Sequence, residues 1–388
     1  MSTQVDPGLL HELRNYGAVG AEKCINCGNC TAICPLTTND HPFPRHTIRM
    51  VQMGLREQLL ANVDPWLCYF CGDCTKTCPR GAEPAETMMA ARRWLIANYD
   101  QSGKAQRLYT STKTMVWTII RTAAIPLILL LGYHLLTGGR HIRTDQVVLN
   151  EFAPVMWVWL LVLLHFAYLG THLTRNSLHM SRQFLGPETS LSNIPLGAYL
   201  TGMKNFAIHF VSQRQWLKCD ETHKETFSRW RKHLLLMSGY VIMLILIVPL
   251  LFWFQTDNIY PIYNPQRWLG YYATVILVFT SLEILYSRIK KKEEIHRFSH
   301  HSDWLFPIFL LIGAITGIIV HIFRYMLLPW PTYAAYTVHI MVMVAMLDTE
   351  VGIGKWSHLI YRPLAMSLDA IQKGSTEPVP DASPAAAD

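Results

Sequence analysis

The sequence predicts a mainly α-helical protein, with a cysteine-rich N-terminal helical domain joined to a six-helix transmembrane bundle. Three observations predict it. Two near-copies of one four-cysteine run occur early, CINCGNCTAICP (24–35) and CYFCGDCTKTCP (68–79). Six later runs are apolar over the roughly 20 residues a bilayer core requires. Lys and Arg are shared unequally among the segments that join those runs.

Residues 1–110 form the first expected domain. Eight of the nine cysteines lie in the two runs, each spaced C-x2-C-x2-C-x3-C-P. The x2 spacings let three thiolates of one run reach one iron–sulfur cubane. The fourth, followed by Pro, points away and serves the other cluster. The expected ligand sets are Cys24, Cys27, Cys30 and Cys78 for one [4Fe–4S] cluster, and Cys68, Cys71, Cys74 and Cys34 for the second. Structural zinc is the competing reading, but zinc sites read as paired C-x2-C halves rather than complete four-cysteine runs. Gly28 and Gly72 follow the second cysteine of each run, where backbone must approach a cluster closely. Between the runs, HTIRMVQMGLREQLL (46–60) has apolar residues at 48, 51, 55 and 59, a helical period that favours an α-helical dicluster ferredoxin. The first residues lack a basic segment followed by an apolar one. The domain is therefore expected in the reducing cytosol, where such cysteines hold metal rather than disulfides.

Residues 111–365 form the expected membrane domain, with spans at about 115–137, 153–174, 233–256, 268–286, 304–328 and 332–351. Segments 175–232 and 287–302 carry nine and five Lys/Arg, whereas the three alternate connections carry three, namely Arg140, Arg143 and Arg267. This positive-inside bias places both termini and the cysteine domain on the cytoplasmic side of the inner membrane. It also accounts for the net charge of +7 without nucleic acid. Trp253, Tyr260, Tyr263, Trp268, Trp304, Trp330 and Tyr333 cluster near run ends, as an interfacial belt does. Residues 190–217, apolar but broken by Pro195, Gly197, Gly202 and Lys204, read as an interfacial or re-entrant helix. The segment 366–388 reads as a disordered tail, Pro/Ala/Ser-rich from Gly374 onward. Cys219 is assigned no role.

His134, His165, His172, His233, His321, His339 and His358 lie in or beside the spans. Ionisable groups there are costly and usually functional. A lone membrane histidine can simply bond across helices, but several beside an iron–sulfur module favour bis-His haem b. Their depths suit two haems, one near each face. The inner one pairs His233 with His358. The outer one uses His339, with His321, His134 or Met243 as its partner. His165 and His172 read as ligands, quinone contacts or interhelical bonds. Arg121 and Arg324 read as partners of haem propionates. Glu283, Asp348, Glu350 and His172 are the acids and bases available near inner span ends.

The order of these parts resembles a known arrangement. The two cysteine runs resemble the C subunit of heterodisulfide reductase. RKHLLLMSGY (231–240) and HIMVMVAMLDTEVGIGKWSHLIYRPL (339–364) resemble its membrane E subunit, of the nitrate reductase γ type of cytochrome b. That class carries two haem histidines in the last span, matched by His339 and His358. An earlier span supplies two partners about ten residues apart. His233 matches the first, but Met243 stands at the second. The fusion, over about residues 10–365, resembles the membrane subunits of quinone-interacting membrane-bound oxidoreductases of sulfate reducers. The resemblance implies menaquinol as electron donor. It also implies two soluble flavin-containing partners related to the A subunit of heterodisulfide reductase, and adenylylsulfate (APS) reductase downstream. Two other readings stand beside it. One is the membrane electron feeder of a heterodisulfide reductase-type complex, since the chain has no Cys-Cys-Gly of its own. The other is a haem-free, membrane-anchored iron–sulfur sensor or scaffold.

Overall fold

The computed structural model describes residues 4–38, 41–186, 196–213 and 223–372. Among them there is no sheet, only an isolated bridge between Thr38 and His41. The helices are α1 (Leu9–Arg14), α2 (Asn29–Ile33), α3 (Arg45–Met53), α4 (Arg56–Leu60), α5 (Asp64–Leu67), α6 (Asp73–Lys76), α7 (Pro84–Tyr99), α8 (Lys104–Thr110), α9 (Thr112–Leu136) and α10 (Leu149–Phe152). They continue as α11 (Val155–Leu185), α12 (Leu196–Ser212), α13 (His223–Ile247), α14 (Leu251–Phe254), α15 (Pro265–Ile289), α16 (Ser302–Tyr325), α17 (Pro329–Met346) and α18 (His358–Gln372). The chain forms two units: Met1–Thr110 with Leu173–Trp230 and Trp356–Asp388, and Ser111–His172 with Arg231–Lys355.

The first unit is built around α7. Pro84 opens this helix, where a missing N–H costs nothing. Met88, Ala90, Ala91, Trp94 and Leu95 are all buried, so the helix faces neighbours on every side. It packs against α1, α3, α5, α6 and α8. Trp66 of α5 and Tyr99 of α7 stack with ring centroids 6.2 Å apart. Tyr361 of α18 meets both edge-on, at 5.6 Å and 6.0 Å.

Two expectations about this unit are corrected. The tail does not begin at 366, because α18 runs through Gln372. Tyr361, Ala365 and Leu368 recur at helical spacing and are buried, and α18 lies against α5 and α12. The expected boundary at 110 captures only part of the unit, since 173–230 and 356–372 share its packing. Residues 373–388 lie outside the described residues. So do Cys219 and parts of the expected re-entrant segment, 190–195 and 214–217. Of that segment, 196–212 is the helix α12.

The second unit contains most of the apolar helical length. Thr112–Leu136, Val155–Leu185, Ser228–Ile247, Pro265–Ile289, Ser302–Tyr325 and Pro329–Val351 are each long and apolar enough to cross a membrane. Ile128, Leu164, Val275 and Phe279 on these helices are exposed, as lipid-facing side chains would be. Ser111 caps α9 by accepting the Thr114 N–H, and Asn264 caps α15 by accepting that of Gln266. α16 packs on both α15 and α17, and α17 packs on α9. Gly313 and Gly317 form a Gly-x-x-x-Gly strip on α16 that admits Met343 and His339 of α17. Span ends differ from the hydropathy reading. The third ends at Ile247 instead of 256, because Val248 precedes Pro249 and leaves the helical region. The second continues to Leu185 instead of 174. The last span closes in a π-helical turn, Leu347–Val351.

Candidate functional site

The two cysteine runs adopt the same backbone. Asn26 and Phe70, at matching positions, both have φ 57°. Gly28 and Gly72 have φ 94° and 93°, conformations a side chain disfavours, and they open α2 and α6. The third cysteine of each run thereby sits in the first turn of a short helix, facing back to the first two.

Two cavities result. One is lined by Cys24, Cys27, Cys30 and Cys78. The other is lined by Cys34, Cys68, Cys71 and Cys74. Each run has therefore sent its fourth cysteine to the other cavity. The electrostatics follow the same grouping. Burial pushes the Cys30 thiol up, and Cys24, Cys27 and Cys78 add like charge. Burial likewise raises Cys34 to about 12, with Cys68 and Cys71 contributing. Cys74 is raised for the same reasons by Cys68, Cys71 and Cys34. Thiols so disposed ionise readily only around a cation, and an iron core supplies one. The Phe70 and Ala82 N–H groups point at the sulfurs of Cys68 and Cys78, each at 3.4 Å.

The surroundings of the cavities differ. Cys27 and Ile25 are exposed beside the first. Phe43, Met88, Met89, Leu36 and Phe70 pack around Cys68 and Cys34 at the second. Gln52 holds the first loop, donating to the carbonyls of Ala21 (3.1 Å) and Cys24 (2.8 Å). Arg92 holds the second, donating to the carbonyls of Pro65 and Cys68, the latter at 2.6 Å. Behind this loop Asp64, fully buried, accepts from His41 and Thr47, and Nδ1 of His46 lies 3.4 Å from its Oδ2. Burial pushes its carboxyl up, but these hydrogen bonds outweigh burial and hold it at about 2.

The histidines fall as follows. Nδ1 of His339 meets the Thr316 hydroxyl at 3.0 Å. Nε2 of His321 meets the Tyr271 hydroxyl at 2.8 Å. His134 is buried against Phe152, with ring centroids 4.7 Å apart, and neither ring nitrogen has a hydrogen-bond partner. Nε2 of His165 is also unpartnered. His233 lies on α13 in the second unit, and His358 opens α18 in the first. Met243 lies on α13. Arg324 is committed to backbone, donating to the carbonyls of Thr256 and Asn258. Arg121 is exposed on α9. Sequence reasoning missed Arg267, which is 5% exposed with Nε and Nη2 unpartnered. In the sequence it stands out only as a loop charge. Glu283 pairs with Lys232, and buried Glu350 accepts the Lys355 backbone N–H at 3.1 Å. Gly352 brings backbone close to His172 and Leu169.

Residues 20–82 match the family model of a 4Fe-4S dicluster domain. The chain is 34% identical over 98 residues to a protein of Archaeoglobus profundus described as like the C subunit of heterodisulfide reductase, covering 25% of this chain and 52% of that protein. It is 31% identical over 90 residues to the iron–sulfur C subunit of the CoB–CoM heterodisulfide reductase of Methanopyrus kandleri, covering 23% and 46%. It is 31% identical over 84 residues to the C subunit of the ferredoxin:CoB–CoM heterodisulfide reductase of Methanosarcina acetivorans, covering 22% and 34%. The chain thus spans about half the length, or less, of these relatives. No solved structure matches it.

Proposed function

We propose that this chain is the membrane electron-transfer subunit of a quinone oxidoreductase complex. It takes electrons from menaquinol in the inner membrane and delivers them to soluble flavin-containing partners related to the A subunit of heterodisulfide reductase. APS reductase, in dissimilatory sulfate reduction, is the terminal recipient. The observation that carries the reading is the pair of four-cysteine cavities, each completed by the other run, in a chain with six membrane-spanning candidates. Cys24, Cys27, Cys30 and Cys78 hold one [4Fe–4S] cluster, and Cys68, Cys71, Cys74 and Cys34 hold the other. The cysteine domain and both termini lie on the cytoplasmic side, on the charge bias.

The membrane residues fit haem b, which would supply one-electron carriers between quinol and the cysteine domain. Thr316 has one proton and donates it to the Ile312 carbonyl at 2.8 Å. It therefore accepts from Nδ1 of His339, which would leave the Nε2 lone pair of His339 available to hold a haem iron. His134 has both ring nitrogens unused, whereas the Tyr271 hydroxyl already occupies Nε2 of His321. His321, His134 and Met243 stand as the candidate partners of His339. Arg267, buried without a partner for Nε or Nη2, suits a propionate. The resemblance to the γ-type cytochromes names His233 and His358 as haem ligands. Quinol oxidation releases two protons, and we offer Glu283, Asp348, Glu350 and His172 as the candidate acceptors.

A second reading, the membrane electron feeder of a heterodisulfide reductase-type complex, is favoured by the names of the relatives. It shares every residue assignment and differs only in partners. Purification from the native membrane with its partners identified separates the two. The test of the main reading is spectroscopic. The isolated protein is expected to hold about eight iron atoms in clusters, with the α and Soret bands of low-spin haem b. A menaquinol analogue should reduce those bands. A preparation with clusters and no haem bands would instead be a sensor or scaffold.

A further inference from the structure

The two cysteine loops share a backbone but not a charge environment, and the difference falls at one equivalent atom. The carbonyl of Cys24, first in its run, accepts the neutral Gln52 amide at 2.8 Å. The carbonyl of Cys68, first in the other run, accepts the Arg92 guanidinium at 2.6 Å. Two further guanidiniums join on the second side only. Arg362 donates to the Leu67 carbonyl at 2.9 Å and lies over the Tyr69 ring at 3.9 Å. Arg229 donates to the Cys71 carbonyl at 3.2 Å. The first cavity has Arg45 and Arg80 on its lining, with Nη1 of Arg45 3.4 Å from where a Gly28 Cβ would stand, but neither donates to the loop carbonyls among the described hydrogen bonds. A guanidinium carries its charge throughout the physiological pH range.

Reducing a [4Fe–4S] cluster by one electron adds one negative charge. Around the second cavity the apolar packing of Phe43, Met88 and Met89 opposes that charge, because a low dielectric disfavours it. A cation held close favours it. We infer that Arg92, supported by Arg362 and Arg229, sets the reduction potential of the Cys68/Cys71/Cys74/Cys34 cluster. These arginines keep the more enclosed cluster reducible beside its more exposed neighbour. Arg92 acts through the loop and is a positioning and tuning residue, not a ligand. The inference rests on the two-cluster reading proposed above.

The test is a redox titration of the full-length protein followed by EPR, in wild type, Arg92→Gln and Arg92→Lys. Arg92→Gln makes the second loop resemble the first. A Cys71→Ser variant identifies which signal belongs to this loop. In Arg92→Gln that signal's midpoint is expected to fall by about 59 mV or more, a tenfold weaker one-electron reduction. The other signal should not move. Arg92→Lys keeps the charge and should hold the midpoint near the wild-type value. Equal midpoints in all three proteins, with both signals present, would overturn the inference and leave the cluster reading intact. An equal fall in Gln and Lys variants would also overturn it, since that marks a purely structural clamp. If Arg92→Gln loses its cluster, Arg362→Gln reads out the same shift. A wild-type protein without two cluster signals would overturn the cluster reading itself.

Discussion

The Thr316 hydroxyl of α16 and Nδ1 of His339 on α17 are 3.0 Å apart, and because that hydroxyl donates to the Ile312 carbonyl at 2.8 Å, Nδ1 is left to donate. A ring that donates through Nδ1 presents a bare Nε2. His339→Ala is expected to remove one of two haems, halving the pyridine haemochrome yield per chain. Unchanged haem content would dismiss His339 as a ligand. Thr316→Val should keep the haem but broaden its low-spin EPR signal, because the ring loses its anchor.

Gly317 extends the same argument. A Cβ there would stand 3.2 Å from Cε1 of His339. Gly317→Ala should therefore displace the ring and lower haem retention while the cluster signals persist. Equal loss of haem and clusters would mean that the whole chain had been disturbed instead.

Cross-sharing of cysteines gives an inverted mutational pattern. Cys34→Ala should damage the cluster whose other ligands are Cys68, Cys71 and Cys74. Cys78→Ala should damage the one built on Cys24, Cys27 and Cys30. Cluster-resolved EPR is the check. Damage confined to each cysteine's own run would overturn the ligand sets.

Asp64 ties the Cys68 loop to His41, His46 and Thr47. Its folded pKa, about 2, lies below the ordinary 3.8. A depressed carboxyl contributes stability fully above its unfolded pKa. That contribution disappears as pH falls from about 4 through 2. The shift is worth about 2 kcal/mol. Asp64→Asn should therefore lose cluster absorbance at lower denaturant concentration at neutral pH, and the difference from wild type should shrink toward pH 2. A difference independent of pH would assign the loss to packing rather than charge.

Gly72→Ala places a side chain at φ 93° and should cost about 1–2 kcal/mol. The expected sign is faster release of iron to a chelator from the second cluster alone. Equal release from both clusters would contradict it.

What the sequence exposed and what it hid divide along physical lines. The C-x2-C-x2-C-x3-C-P spacing is local, so the exchange of Cys34 and Cys78 was readable before any fold. Hydropathy is also local, and the six spans stand where it placed them, apart from their ends. The end at Ile247 needed the restriction that Pro249 imposes on Val248. The helical state of 366–372 needed α5 and α12, which cover Tyr361 and Leu368. Gln52, Arg92, Arg229, Arg362 and Arg267 carried no signal of their own. Each is an ordinary polar residue until the fold decides what it faces. The haem assignment of His233 and His358 still rests on the resemblance.

The exchange of a thiol between the two cysteine runs bears on how the protein is made. Neither run can complete its cavity until the other has been synthesised and folded beside it, because Cys78 lies 54 residues beyond Cys24 in the chain. Iron delivered to a nascent first run would find three thiols and an open corner. Loading of the first cavity is then expected to follow translation of the second run, which supplies Cys78.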